Sequence, residues 1–153
     1  MKILLATDGT PESSAAVESI NKLALSAGDE IKVVCIVDMA LPLTVDIYGG
    51  FVPDTAELEN TAKENARKVV ETTAETLKNS TGAKGVVVSS ELLFGSPDRR
   101  IVESAEDWGA DLIIVGSHGY GRWERMLLGS VSDSVIRHAP CSVLVVRNRK
   151  EED

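Results

Sequence analysis

The chain has 153 residues and 24 acidic against 16 basic side chains, a net charge of −8. That field repels nucleic-acid phosphate and anionic lipid, so neither is an expected partner. A hydrophobic fraction of 43% and a charged fraction of 26% fit neither a disordered nor a fibrous protein, and the length suits one domain that buries roughly 70% of its unfolded surface. No apolar stretch is long enough to span a bilayer, and the leading run at 2–6 is stopped by Thr7-Asp8-Gly9 well short of a signal sequence. The two cysteines, Cys35 and Cys141, lie in or beside apolar β-like runs without CxxC spacing, which points to a reducing, cytoplasmic setting.

Taken in order, residues 2–7 form a short apolar run with the flanks of a buried strand. Thr10-Pro11-Glu12 reads as an N-cap, a proline at the first helical position and a first-turn acid. The helix that follows is expected to turn Ala16, Ile20, Leu23, Ala24 and Ala27 inward and to stop at Gly28. Residues 31–37 are a second strand rich in β-branched side chains. The segment 38–53 has Pro42, Gly49, Gly50 and Pro53 but also many apolar residues between 41 and 52, so it reads as a loop over the core, with a lid or partner surface as the alternative.

Asp54-Thr55-Ala56-Glu57 has capping-box spacing, and Leu58, Ala62, Ala66, Val69, Val70, Thr73 and Leu77 continue at helical intervals to about residue 80. A third strand is expected over 86–92. Ser96-Pro97-Asp98 repeats the cap, proline and acid, and opens a helix with Ile101, Val102, Ala105 and Trp108 inward and Gly109 at its end. Residues 112–115 are the fourth strand, a helix begins near Ser130, Ala139-Pro140 breaks it, and 142–146 are the fifth strand. Strands alternating with helices imply an α/β fold: a five-stranded parallel, doubly wound (Rossmann-like) sheet with helices on both faces. Residues 1–147 make one domain, and 148–153 form a charged tail.

Between the fourth strand and its helix lies Gly116-Ser117-His118-Gly119-Tyr120-Gly121-Arg122, closing at Gly129-Ser130. A strand, a glycine-rich loop and a helix N-terminus make an anion site, because free N–H groups and the positive end of the helix dipole face the ligand and glycine lets the backbone approach. A tight turn with helix capping is the alternative. Ser130 and Ser132 add hydroxyls, and Arg122 could meet a terminal phosphate. Asp8 ends the first strand; it either accepts from a ligand's hydroxyls or serves the Gly9-Thr10 turn. His118 suits a structural or binding role better than catalysis, since no nucleophile and acid can be assembled around it from spacing. Neither GxGxxG nor GxxxxGK[ST] is present, which sets aside dinucleotide dehydrogenases and Walker-type ATPases.

Gly116-x2-Gly119-x9-Gly129-Ser130 resembles the G-x2-G-x9-G-[ST] signature of the universal stress protein family in its ATP-binding branch. The runs at 3–8, 33–38, 111–119 and 139–146 look like the family's first, second and fourth strands and closing segment, so the resemblance covers nearly the whole chain. It implies that Ala6 and Ile36 line or hydrogen-bond an adenine through backbone and that Asp8 takes the ribose. It also implies that Val115, Gly116, Ser117, His118 and Gly119, with Arg122, Gly129, Ser130, Val131 and Ser132, surround the phosphates. ATP (or ADP or AMP), with Mg2+ beside a triphosphate, is the implied ligand. A homodimer through the fifth strand, Val143, Leu144, Val145 and Val146, is the implied assembly, and an apolar edge strand needs such cover. Tyr120 and Gly121 stand where many relatives carry a basic or small polar residue.

These readings favour a dimeric, nucleotide-dependent stress-response switch acting on an unidentified protein partner, with slow hydrolysis at most. An enzyme that consumes ATP in the same crevice is one alternative, although neither SGGxDS nor HxGH occurs. A nucleotide-independent scaffold using residues 41–52 is another.

Overall fold

The computed structural model describes residues 1–38, 55–117 and 128–148. Five strands, β1 (Lys2–Ala6), β2 (Glu30–Val37), β3 (Val87–Phe94), β4 (Leu112–Gly116) and β5 (Ser142–Val146), form one sheet in the order β3-β2-β1-β4-β5. Every pairing is parallel, with Ala6 against Val34 and Leu5 against Ile114 near the upper rungs. The connections are α1 (Pro11–Ile20), α2 (Thr55–Thr81), α3 (Pro97–Trp108) and α4 (Ser130–His138). Among the described residues, no helix is long and apolar enough to cross a membrane.

Two apolar layers follow from alternation along the strands. Ile3, Leu5, Ile31, Val33, Cys35 and Ile114 face the side covered by α1 and α2, where they meet Ala16, Ile20, Val70, Ala74 and Leu77. Leu4, Ala6, Val34, Ile113 and Val115 face the other side and meet Ile101 and Ala105 of α3 and Val135 of α4. The central strands β1 and β4 are covered on both faces, which is why they read as unbroken apolar runs.

Several expected boundaries move, each for a physical reason. The first helix ends at Ile20, not at Gly28. Asp29 Oδ2 accepts from the Ser26 amide at 2.8 Å and the backbone folds into turns from Asn21 onward, so local side-chain bonding displaces the helix. Leu25 is consequently the buried residue there, while Ala24 and Ala27 are exposed. The third strand runs to Phe94 because its rungs with β2 continue from Glu30 opposite Val87 to Val37 opposite Phe94.

The long helix extends beyond the sheet. Its 27 residues span about 40 Å, against about 26 Å for the eight residues of β2. As the crossover between parallel strands, α2 runs opposite to them, so its first turns overhang their carboxyl ends. Leu58 is therefore 58% exposed and Ala62 is exposed too, although both have the spacing of an inner face. The cap expected at Asp54, with the whole segment 39–54, lies outside the described residues.

Two features lock the lower and upper ends of α3. At the strands' amino ends, Lys2 and Lys32 place their ammonium groups 5.3 and 5.0 Å from the centre of the Trp108 ring, and Gly109 closes the helix in the left-handed region at φ 69°. There too Asp111 accepts from the Lys2 amide at 2.7 Å, a structural role at the end away from the crevice. At the carboxyl ends, Asp98 accepts from Ser96 Oγ at 2.6 Å and from Ser134 Oγ of α4 at 2.7 Å.

Candidate functional site

Strand order changes direction between β1 and β4, and ligands of open parallel sheets gather above such a point. A crevice of about 610 Å3 opens there. Its floor is Ala6, Thr7 and Asp8 after β1, Cys35 to Asp38 at the end of β2, and Val115 and Gly116 at the end of β4. Ala62, Asn65, Ala66 and Val69 of α2 wall one side; Pro97 and Ile101 of α3 and residues 129–132 wall the other.

The turn after β1 is held by its own side chains. Asp8 Oδ1 accepts from the Thr10 amide at 3.0 Å and from Thr10 Oγ1 at 2.6 Å. Thr7 Oγ1 donates to Ser13 Oγ at 3.1 Å, and Ser13 Oγ bonds the Thr10 carbonyl at 2.9 Å. Both readings of Asp8 therefore have a place in the structure: it caps its turn and it lines the crevice. Gly9 sits at φ 79°, and a Cβ there would lie 2.9 Å from Val69 Cγ2, so the turn passes hard against α2.

The end of β2 leaves an acceptor uncovered. Thr7 donates to the Val34 carbonyl at 2.9 Å as the last rung toward β1, whereas the Val37 carbonyl accepts from Gly95 at 3.0 Å on the β3 side. Carbonyls alternate along a strand, so Ile36 points like Val34, past the end of β1 and into the crevice. Among the described residues the Ile36 carbonyl has no backbone partner. Cys35 beside it is an inert floor residue, its thiol pushed up to about 11 mainly by burial.

The opposite end is an open helix start. The glycine loop is pinched at its base: the Ser117 carbonyl accepts from the Gly129 amide at 2.7 Å and from Ser132 Oγ at 3.1 Å, while the Ser117 amide donates to Val146 at 2.8 Å. Gly129 is the N-cap of α4 and offers no side chain to its amides. Two of the other helices starting at this end, α1 and α3, have engaged side chains at their starts. Thr10 Oγ1 accepts from the Ser13 amide in α1, and in α3 the first-turn Asp98 carboxylate accepts from Ser96 Oγ and Ser134 Oγ. Those bonds hold the Asp98 carboxyl at about 2. Helix amides left unpaired beside a crevice are a place for an anion.

Most of the residues expected from the sequence meet here. Ala6, Asp8, Ile36, Val115, Gly116, Gly129, Ser130, Val131 and Ser132 all line this one crevice. Ser117 is buried below it and acts through its backbone. Ser132 is also buried, and its hydroxyl bonds the Ser117 and Gly129 carbonyls, so its side chain shapes the loop base. His118, Gly119 and Arg122 lie outside the described residues, as do Tyr120 and Gly121. Sequence reading placed Ala62, Ala66 and Val69 on a packing face and overlooked Asn65; their spacing was visible, but the overhang that makes this face a crevice wall was not.

The sequence profile described as the universal stress protein family matches residues 1–147. The chain belongs to the universal stress protein family. Among curated members, a universal stress protein of Methanocaldococcus jannaschii is 34% identical over 151 residues, covering 99% of this chain and 84% of its own. Among solved structures, hypothetical protein MJ0577, the subject of a structure-based assignment of biochemical function, is similar with a TM-score of 0.76 and 30% identity, covering 98% of this chain and 97% of its own. A universal stress protein from Arabidopsis thaliana, solved with AMP bound, shares the fold at a TM-score of 0.65 and 16% identity, covering 99% and 94%. The five-stranded parallel α/β architecture expected from the alternation of elements is the fold of these universal stress proteins.

Proposed function

We propose that this universal stress protein binds an adenine nucleotide, ATP with ADP or AMP as alternatives, across the crevice above β1 and β4, and acts as a dimeric, nucleotide-dependent switch. The observation that carries the reading is the glycine-capped start of α4, whose amides no side chain of the described residues fills. The phosphates would lie on Gly129, Ser130 and Val131 and on the glycine loop, the ribose beside Asp8, and the base near the Ile36 carbonyl, an acceptor suited to an exocyclic amine. The AMP complex of the Arabidopsis relative supports the ligand class.

Mg2+ would accompany a triphosphate. Among the described residues there is no group of three or more His, Cys, Asp or Glu side chains that could hold a metal. Asp8 and Asp38 line the crevice, and an ion of this kind needs only one or two carboxylates when phosphate and water supply its other ligands, so the residues fit. Asp8 spends one oxygen on Thr10, which favours holding nucleotide over activating water, and hydrolysis is slow at most.

Dimerisation would use β5. Among the described residues this strand pairs with β4 alone, and its apolar residues Val143 to Val146 are half-buried, the state of an edge that a second copy could cover. The free cysteines suit a cytoplasmic setting. Isothermal titration of nucleotide-stripped protein with MgATP and with AMP tests the reading: saturable binding supports it, and no heat at millimolar ligand overturns it. ATP turnover above a few per minute that is abolished by Asp8→Ala would instead make the protein an enzyme.

A further inference from the structure

We infer that Asn65 reads the base of the nucleotide and sets the protein's preference between amino and keto purines; this rests on the nucleotide reading above. The topology orients the ligand. The start of α4 stands beyond β4, whereas α2 packs on β2 and β3, and two strand spacings separate β2 from β4, about 10 Å. A nucleotide with its phosphates on α4 therefore directs its base toward β2 and α2.

That end of the crevice is shaped for a flat apolar ring. Ala62, Ala66 and Val69 form a stripe of small side chains on α2, and Pro97 and Ile101 face them from the other side of the sheet. Asn65 interrupts the stripe at helical spacing. Most other polar side chains lining the crevice are engaged, Thr7 with Ser13, Asp8 with Thr10, and Ser132 with Ser117 and Gly129, while Ser130 lies at the α4 end. The amide of Asn65 makes no hydrogen bond among the described residues, and it faces the crevice with a donor and an acceptor side by side.

An amide pairs with adjacent amine and ring nitrogen of adenine. It can also turn over to meet a keto purine, so the direction of preference needs a fixed neighbour. The Ile36 carbonyl is that neighbour: it accepts from an exocyclic amine and opposes a keto oxygen. Replacing the amide by a carboxylate would present two acceptors, the complement of the adjacent N–H donors of guanine.

The test is titration of the full chain with AMP and GMP, for wild type, Asn65→Ala and Asn65→Asp, with inorganic triphosphate as a base-free probe. Asn65 is exposed on a helix and alanine is the better helix former, so Asn65→Ala folds; a melting curve checks this. Wild type is expected to prefer AMP at least about tenfold. Asn65→Ala should lower that ratio about fivefold or more while leaving triphosphate binding within about twofold, and Asn65→Asp should move the ratio further toward GMP. If wild type binds AMP but neither substitution changes the ratio, Asn65 does not read the base and the inference falls while nucleotide binding stands. If wild type binds neither nucleotide, the nucleotide reading falls and takes this inference with it.

Discussion

Replacing Gly9 by alanine tests how tightly the Asp8 turn is held against α2. At φ 79° an L-residue costs about 1–2 kcal/mol, offset by roughly 0.5–1 kcal/mol from the stiffer unfolded chain. The new Cβ would stand 2.9 Å from Val69 Cγ2 and 3.5 Å from Cγ1. Valine cannot swing away freely at χ1, so overpacking adds about 1–3 kcal/mol. The net expectation is a loss of about 2–3 kcal/mol, or roughly 5–10 °C in melting temperature for a domain of this size. Val69→Ala alone removes two half-buried methyl groups and should cost about 1 kcal/mol. It also removes the clash, so the double variant should cost about 1–2 kcal/mol less than the sum of the singles. Urea unfolding of the four proteins measures this coupling. Additivity within about 0.5 kcal/mol would show that turn and helix are not in contact as described.

Two further expectations concern the parts around the crevice. Asp98 has a depressed carboxyl, at about 2 against an ordinary 3.8, so its contribution to stability is complete above pH 3.8 and is lost as pH falls toward 2. Asp98→Asn should therefore be less stable than wild type at pH 5, by a gap that narrows as pH falls to 2; an equal gap at pH 5 and pH 2 in urea titrations would contradict the Ser96 and Ser134 bonds. On β5, Val146 directs its carbonyl to Ser117, so Leu144 also faces β4 while Val143 and Val145 direct their amides out from the sheet edge. Val145→Pro should consequently abolish a β5-mediated dimer in sedimentation experiments and leave a folded monomer; an unchanged dimer places the interface elsewhere.

What could be read from the chain alone was local. Period-two and period-3.6 patterns marked the strands and helices, Thr10-Pro11 and Gly109 marked helix ends, and the spacing from Gly116 to Ser130 marked the anion loop, because these signals are made by residues near one another. Of the two failures, one was local in origin and the other was not. Asp29 bonding Ser26 ended α1 early, and a face of α2 that looked like core emerged above the sheet. Only the tertiary structure decided the strand order that sets Asp8 beside Gly116, the overhang that turns Asn65 into a crevice wall, and the bond that ties Asp98 to Ser134 across 36 residues. A helix or strand period specifies which side is apolar, but not which partner covers it or how far an element extends beyond that partner; those depend on lengths and crossovers across the whole chain.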